Sequence, residues 1–166
     1  MQPKFILLMG VSGCGKSTIG KALAQQLGWD FYDADDFHQP NNIAKMAGGI
    51  PLTDEDRAPW LALLHDLISS CLKANHSAVL ACSALKERYR QQLLKDNNGV
   101  QIVYLKGSFN LIRSRMISRA RHYMKLTMLQ SQFDAMEEPR NALVIDASLS
   151  VDKIVKKILE ETTVEK

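Results

Sequence analysis

Apolar and polar residues alternate in blocks along this chain, and the spacing of the apolar positions predicts strands and helices in turn. Residues 5–9 form a continuous apolar run, as expected for a buried parallel strand. Ile19, Leu23 and Leu27 then recur at helical spacing, and Gly28 suits the end of that helix. The first predicted unit is therefore a β-strand followed by an α-helix.

The same alternation continues after Gly28 and predicts four more strands. A short strand-like segment covers 30–33, and apolar runs cover 78–82, 100–106 and 143–145. Between the first two of these, residues 34–52 are rich in polar residues, glycine and proline. They predict a loop-rich insert with one short helix near 41–47.

Helical spacing predicts five further helices. One follows a capping-box sequence at 53–56, three cover 84–95, 109–121 and 131–137, and the last begins near 151, while 122–130 has no clear strand pattern. The predicted apolar faces of the helix after 53–56 and of the last helix consist of Trp60, Leu63, Leu64, Leu67, Ile68 and Leu72, and of Val151, Ile154, Val155, Ile158 and Leu159.

Five strands that alternate with helices predict an α/β fold with a parallel sheet covered on both faces. Ligands bind such sheets at the carboxyl ends of the strands. Four segments with chemically active residues follow those ends: 10–17, 33–38, 82–90 and 107–121. We therefore predict a single domain over 1–166 with its functional site at this edge.

Composition excludes several classes of function. The chain has 166 residues, 46% hydrophobic and 23% charged, with a net charge of +3 and no basic run longer than two residues. We therefore expect no nucleic-acid partner. No segment approaches the ~20 apolar residues that span a membrane, so we expect no membrane partner. Cys14, Cys71 and Cys82 have no metal-ligand or disulfide spacing, which favours a reducing cytoplasm.

Residues 10–17 read G-x-x-x-x-G-K-S, between the first predicted strand and helix. This order predicts a P-loop, in which backbone N–H groups surround nucleotide phosphates, Lys16 adds a mobile charge and Ser17 is a ligand for Mg²⁺. A structural glycine turn, or nucleotide binding without catalysis, are the alternatives. The predicted ATP-binding residues are Gly10, Val11, Ser12, Gly13, Cys14, Gly15, Lys16 and Ser17.

Acidic residues follow the second predicted strand, in Asp33-Ala34-Asp35-Asp36-Phe37-His38. In an extended segment Asp33 and Asp35 point the same way. Such a pair can orient Mg²⁺ through water and accept a proton from an attacking hydroxyl; a surface acidic turn is the alternative. Our reading is that no apolar strand ends in Asp, as a Walker B strand would. This leaves the Asp33 region as the predicted metal partner.

Basic residues provide two further predicted contacts. Arg57 opens one helix, and Lys86 and Arg90 lie one turn apart on another, so two of these three residues can hold an acceptor carboxylate. Arg113, Arg115, Arg119 and Arg121 crowd the end of a later helix. Arg115 and Arg119 share a face there. Phosphate oxygens would relieve their repulsion; a solvated basic face is the alternative.

These residues resemble the gluconokinases, small P-loop kinases related to shikimate and adenylate kinases. The resemblance covers roughly 5–139. It consists of the P-loop, the segment 33–38 with Pro40 and Asn42, the strings KMAGGIPL at 45–52, DEDRAPWL at 54–61 and CSALK at 82–86 with Tyr89 and Arg90, YLKG at 104–107, SQF at 131–133, and Glu138-Pro139.

The resemblance implies a three-layer P-loop kinase fold with a small lid at about 113–130 and an acceptor-binding insert at about 34–74. It implies ATP-dependent phosphorylation of D-gluconate at its terminal hydroxyl, giving 6-phospho-D-gluconate, with Mg²⁺ and a homodimer. The residue roles that it implies are catalysis by Lys16, Asp33, Asp35 and Arg119; ATP binding by Arg115 and Arg119; gluconate binding by Asp35, His38, Arg57, Ser83, Lys86 and Arg90; and metal binding by Ser17 and, through water, Asp33.

Three departures separate this chain from the family pattern, one of which is that Arg140-Asn141-Ala142 stands where the family has a longer acidic stretch. Ala34 replaces the usual glycine between the two aspartates, and Arg121 and Lys125 replace the usual glycine and proline of the lid. Which aspartate is the base stays open. Two other functions also stay open: a kinase with another acceptor, such as shikimate, a nucleoside monophosphate or another sugar acid, and a non-catalytic nucleotide-dependent binding module.

Overall fold

A five-stranded parallel sheet forms the centre of the molecule. The computed structural model describes residues 4–118 and 126–162. Its strands are β1 Phe5–Met9, β2 Asp30–Asp33, β3 Ala78–Ala81, β4 Val100–Lys106 and β5 Leu143–Asp146. They lie in the order β2-β3-β1-β4-β5, with every neighbouring pair parallel. This confirms the predicted α/β class.

Seven α-helices and one 3₁₀ helix are found in the described ranges. They are α1 Lys16–Leu27, the 3₁₀ helix Ala34–Phe37, α2 Pro40–Ala47, α3 Asp54–Lys73, α4 Glu87–Leu94, α5 Phe109–Ser118, α6 Leu126–Ala135 and α7 Val151–Thr162. None of these helices is long and apolar enough to cross a membrane.

The central strand β1 has apolar residues on both faces, because helices cover both sides of the sheet. Ile6 and Leu8 belong to the core cluster on one face, together with residues of α1 and α7. Phe5, Leu7 and Met9 belong to the cluster on the other face, with residues of α3. All five residues of β1 are fully buried. This continuous burial explains why the strand has no polar alternation.

Local signals fix the ends of two helices. Gly28 takes a left-handed φ of 69° just after α1, and its N–H bonds to helix carbonyls. Thr53 and Asp56 form a capping box at the start of α3: the Thr53 side chain accepts from Asp56 N at 3.1 Å, and Asp56 Oδ2 accepts from Thr53 N at 2.9 Å. Both signals were read correctly from the sequence.

Several element predictions were wrong in their bounds. Helix α4 begins at Glu87 and not at 84, because Ala84 has a left-handed φ of 44° that interrupts the helix. Helix α6 begins at Leu126 and not at 131. Helix α5 ends at Ser118 in the described part of the chain, and 119–121 of that predicted helix lie outside it.

Three further readings need correction. Residues 34–37 form a 3₁₀ helix and are not extended. Leu63 and Val151, which we placed on buried faces, are 47% and 37% exposed. Strand β5 does end in an aspartate, Asp146, although we read no strand as doing so. That aspartate lies on an edge strand and accepts from Ser148 N at 2.9 Å.

Candidate active site

The P-loop lies between β1 and α1, and its backbone conformation depends on glycine. Gly13 and Gly15 have φ values of 82° and 101°, which side chains of L-residues rarely permit. A Cβ atom on Gly10 would lie 2.8 Å from the carbonyl oxygen of Leu105 on β4. The loop therefore packs directly on the neighbouring strand, which only glycine allows.

Several backbone N–H groups of the loop have no partner among the described residues. The N–H groups of Gly13, Gly15, Lys16 and Ser17 have no hydrogen-bond acceptor within residues 4–118 and 126–162. Helix α1 has no side chain that caps its N-terminus. Unpaired N–H groups at a helix N-terminus attract anions. This end of α1 is therefore suited to phosphate.

The Lys16 side chain bends back over the loop. Its ammonium group donates to the carbonyl oxygens of Gly10 at 2.8 Å and Val11 at 3.0 Å. It also lies 3.9 Å from Cys14 Sγ, and no carboxylate of the described residues lies within ion-pair distance of it. The ammonium is thus available to a phosphate that enters the loop.

Ser17 connects the P-loop to the first acidic segment. Its hydroxyl donates to Asp33 Oδ2 at 2.8 Å, while Asp33 Oδ1 accepts from the backbone of Asp35 at 3.0 Å. Asp33 is the N-cap of the 3₁₀ helix. The two aspartates are therefore neighbours because of this tight turn, and the extended geometry we expected is wrong.

The Ser17 hydroxyl and the Asp33 carboxylate are hard oxygen ligands, and their hydrogen bond holds them together at the end of the P-loop. This donor set fits Mg²⁺, which keeps water and phosphate oxygens as its other ligands. The described residues contain no cluster of three or more His, Cys, Asp or Glu that could hold a metal by themselves. The geometry thus suits a metal that arrives with phosphate.

Asp35 differs from Asp33 in its surroundings. Its carboxylate accepts no hydrogen bond from the part of the chain that the structure describes. Although its side chain reaches solvent, the surrounding protein atoms raise its pKa, and the nearby Asp33 carboxylate adds to this rise. A carboxylate with a raised pKa and no bound proton donor is suited to accept a proton.

His38, at the end of the acidic segment 33–38, is buried and neutral at pH 7. Its ring stacks on Trp60 with centroids 4.1 Å apart, and it is 9% exposed. Burial, together with a smaller effect from the positive charge of Arg57, lowers the pKa of His38 to about 4. Asn42 Nδ2 lies 3.2 Å from His38 Nδ1. Since an amide nitrogen can only donate, the neutral ring carries its proton on Nε2.

Trp60 was predicted to be a core residue, and it is. Its side chain is 5% exposed, and its indole N–H donates to the carbonyl oxygen of Ala34 at 2.6 Å. The same residue thus supports the stacked His38 ring and the 3₁₀ helix that carries Asp35. It connects α3 to the acidic segment.

Arg57 is fixed on one side and open on the other. Its Nη1 donates to the Leu52 carbonyl oxygen at 2.7 Å and to the Tyr89 hydroxyl at 3.1 Å. The Tyr89 hydroxyl donates in turn to Asp54 at 2.6 Å. The Nε and Nη2 groups of Arg57 have no acceptor in the described residues. A held guanidinium with open donors is suited to a carboxylate or hydroxyl.

The loop after β3 carries Ser83, which contacts the P-loop, and Lys86. The carbonyl oxygen of Ser83 accepts from Gly10 N at 3.4 Å. Lys86 is the residue before α4, and its ammonium has neither a hydrogen bond nor an ion pair with a described residue. The Lys86 charge thus has no carboxylate partner in the described part of the chain, whereas Arg57 Nη1 lies 4.0 Å from Asp54 Oδ1.

Arg90 is placed differently from the other predicted substrate residues. It is 2% exposed, and its nitrogen atoms donate to Glu87 at 3.1 Å and to the carbonyl oxygens of Ala84 and Glu137, both at 2.7 Å. These bonds hold the left-handed backbone of Ala84. The structure thus shows Arg90 supporting the loop and not at the exposed acceptor surface. Contact with substrate stays a prediction.

A cavity of about 350 Å³ lies beside the P-loop, between α1 and the start of α7. It is lined in part by Gly15, Arg115, Ala147 and Leu149. Arg115 donates to the carbonyl oxygen of Ala147 at 2.6 Å and so closes one side of it. Arg119 and the altered lid at 119–125 lie outside the described residues.

Sequence reasoning missed two parts of this site. Residues 147–151 line the cavity, yet they carry no recognisable motif. Gln132 on α6 bonds to Ser12 of the P-loop, with its Oε1 2.7 Å from the Ser12 nitrogen. The string SQF at 131–133 was part of the resemblance, but nothing in the sequence indicated which residue it contacts.

Comparison with known proteins adds an independent result. The family model described as Shikimate kinase matches residues 12–163. A probable gluconokinase from Mus musculus is 41% identical over 178 residues, covering 95% of this chain and 97% of that protein. A gluconokinase from Gluconobacter oxydans is 46% identical over 139 residues, covering 84% and 78%. The crystal structure of a gluconokinase from Sinorhizobium meliloti 1021 superposes with a TM-score of 0.88 at 39% identity, covering 97% and 92%.

Proposed function

The chain belongs to the gluconokinase family and phosphorylates gluconate, and we propose that it transfers the γ-phosphoryl group of ATP to the terminal hydroxyl of D-gluconate, giving 6-phospho-D-gluconate. One structural observation gives the main chemical support for this reaction. The hydrogen bond from Ser17 to Asp33 joins the phosphate end of the site to the aspartates of the acceptor side. The residues proposed to bind ATP and those proposed to bind the acceptor therefore meet at this hydrogen bond.

The P-loop receives the phosphates of ATP. The open N–H groups of Gly13, Gly15, Lys16 and Ser17 donate to phosphate oxygens. The Lys16 ammonium leaves the carbonyls of Gly10 and Val11, because a phosphate oxygen is the stronger acceptor. The adenosine occupies the cavity beside Arg115, which is large enough for a base and adjoins the loop.

The Ser17 hydroxyl and, through water, the Asp33 carboxylate would hold a Mg²⁺ ion that enters with the nucleotide. When bound, it neutralises charge on the phosphate oxygens. The protein supplies the hydroxyl, the carboxylate and the hydrogen bond that holds them at 2.8 Å.

Gluconate lies between the acidic segment and the loop after β3. Arg57 and Lys86 hold its carboxylate by charge, and the terminal hydroxyl lies at Asp35. The hydroxyl oxygen forms a bond to the γ-phosphorus, the bond from that phosphorus to the β,γ-bridging oxygen breaks, and the hydroxyl proton passes to Asp35. Because this transition state is loose, positioning and charge stabilisation contribute more than the base.

The other predicted roles stay proposals with weaker support. His38 is a neutral donor through Nε2 and so offers gluconate a single hydrogen bond rather than a charge. Ser83 borders the P-loop, and Arg119 is proposed to contact the transferred phosphoryl group. A homodimer follows only from the family resemblance. A cytoplasmic location is proposed on the three free cysteines.

A coupled assay of ADP formation over a panel of acceptors tests this proposal. Gluconate is expected to stimulate ADP formation, and 6-phosphogluconate is expected to accumulate in equal amount. Shikimate belongs in the panel because the matching family model carries that name, and nucleoside monophosphates and other sugar acids complete it. If the protein phosphorylates one of these compounds in preference to gluconate, that compound is the acceptor instead. ATP binding without turnover of any acceptor would favour a binding module instead.

A further inference from the structure

A side chain of α6 binds the P-loop. The Ser12 N–H donates to Gln132 Oε1 at 2.7 Å, and Gln132 Nε2 donates to Ser12 Oγ at 3.2 Å. Helix α6 is itself anchored in the core, since Leu129 is fully buried and Phe133 packs edge-on against Phe109 with centroids 5.5 Å apart. A firmly packed helix therefore presents the Gln132 amide to the loop.

This contact acts on the peptide group that Lys16 touches. The carbonyl oxygen of Val11 accepts from Lys16 at 3.0 Å, and the N–H of the same peptide group, that of Ser12, donates to Gln132. Because a trans peptide is planar, its carbonyl and N–H point in opposite directions and turn together. Gln132 thus fixes the orientation of this peptide from the side opposite Lys16.

The chain that follows Gln132 binds the acceptor-side loop. The Glu137 N–H donates to the carbonyl oxygen of Leu85 at 2.8 Å, and Glu137 Oε1 accepts from Glu87 N at 3.0 Å. The buried Arg90 donates to the Glu137 carbonyl oxygen at 2.7 Å. One short segment, 132–137, therefore contacts the P-loop at one end and the loop around Lys86 at the other.

We propose that Gln132 is a positioning residue for phosphoryl transfer, which holds the P-loop at a fixed distance from the acceptor loop through the segment 132–137. The inference rests on the proposed function and adds a residue to it. Rates of transfer depend steeply on alignment, and a displacement of about 1 Å can cost roughly 10²-fold. Gln132 acts through the Val11–Ser12 peptide, and no contact with substrate is assigned to it.

Gln132→Met tests this role, because methionine keeps the length of the side chain and removes its amide. Gln130→Met is the matched control, since Gln130 is exposed on the same helix and, within residues 4–118 and 126–162, its side chain bonds only to Asp134. For Gln132→Met we expect kcat to fall roughly tenfold or more. The gluconate KM and the Tm should stay close to those of Gln130→Met, which itself should match wild type. A purely structural contact would lower Tm and leave kcat per folded molecule unchanged.

Three results would overturn the inference: an unchanged kcat in Gln132→Met, a higher kcat, or an equal loss in Gln130→Met. Hydrogen exchange at the Ser12 amide gives a readout that needs no activity. In wild type this amide should exchange far more slowly than that of Gly13, and Gln132→Met should remove the difference. Fast exchange of Ser12 in wild type contradicts the inference whatever the activity. Absence of gluconate phosphorylation in wild type contradicts the proposed function, and Ser12 exchange then decides whether Gln132 holds the loop.

Discussion

The donor side and the acceptor side of this site are built in different ways. The donor side, residues 10–17, is one contiguous loop whose geometry depends on glycine φ values and whose open backbone N–H groups are its main ligands. The acceptor side combines Asp35, Arg57 and Lys86 from separate elements, held by bonds such as that of Arg57 to Tyr89 at 3.1 Å. A contiguous loop concentrates its function in few atoms, whereas an assembled surface distributes it.

The largest effect is expected on the donor side, with Lys16→Ala. Loss of the only side-chain cation of the P-loop removes charge stabilisation in the transition state, which is worth roughly 10³-fold in kcat. Lys21→Ala is the matched control, because Lys21 is exposed on the same helix. Turnover assays at saturating ATP and gluconate measure both. Near-normal turnover of Lys16→Ala would show that the lysine does not take part in the mechanism. It would also contradict the view that the function of the donor side depends on few atoms.

The next effect concerns the stability of the acceptor side and depends on pH. The folded pKa of His38 is about 4, against about 6.5 in the unfolded chain. A depressed pKa means that burial of the neutral ring contributes stability above pH 6.5, and that this stability is lost as pH falls from 6.5 to 4. The full difference corresponds to roughly 3 kcal/mol, since one pKa unit is about 1.4 kcal/mol.

Urea unfolding of wild type and His38→Gln between pH 7 and pH 4 measures the pH-dependent contribution of His38 to the free energy of unfolding. The wild type should lose more unfolding free energy than the variant as pH falls, because glutamine does not titrate. Parallel pH profiles of the two proteins would show that the His38 ring keeps an ordinary pKa, and that the acceptor side is more hydrated than the stacked ring and its burial indicate.

Arg57→Ala should separate the two sides kinetically. Removal of a charge-assisted contact of about 2 kcal/mol is expected to raise the gluconate KM roughly 30-fold and to leave the ATP KM nearly unchanged. Arg88→Ala is the control, since Arg88 also contacts Asp54 and the Tyr89 ring but is exposed. Equal changes in both KM values would mean that Arg57 supports the whole cleft and does not hold the acceptor.

The contrast between the contiguous donor side and the assembled acceptor side also explains which parts of the site the sequence could predict. Residues 10–17 were placed correctly because spacing and glycine specify a backbone conformation locally. The sequence correctly predicted that Asp33 and Asp35 are close, but the extended geometry assumed for them was wrong. No local sequence signal indicates that Asp33 is the N-cap of a 3₁₀ helix. The burial of Arg90 depends on the Glu137 carbonyl, 47 residues away. Such long-range contacts leave no periodic trace in a single sequence.

The smallest effect compares the two helix N-termini at the site. Helix α1 has no side-chain cap, and we propose that phosphate binds its N-terminus, whereas α3 is capped by Thr53, which accepts from Asp56 N at 3.1 Å. Thr53→Ala should lower the unfolding free energy by about 1 kcal/mol. Addition of a non-hydrolysable ATP analogue should then raise Tm by the same amount in wild type and variant, because the ligand caps α1 only. A smaller ligand-induced shift in Thr53→Ala would show that the two helix starts are coupled, and the separation of donor and acceptor sides would have to be given up.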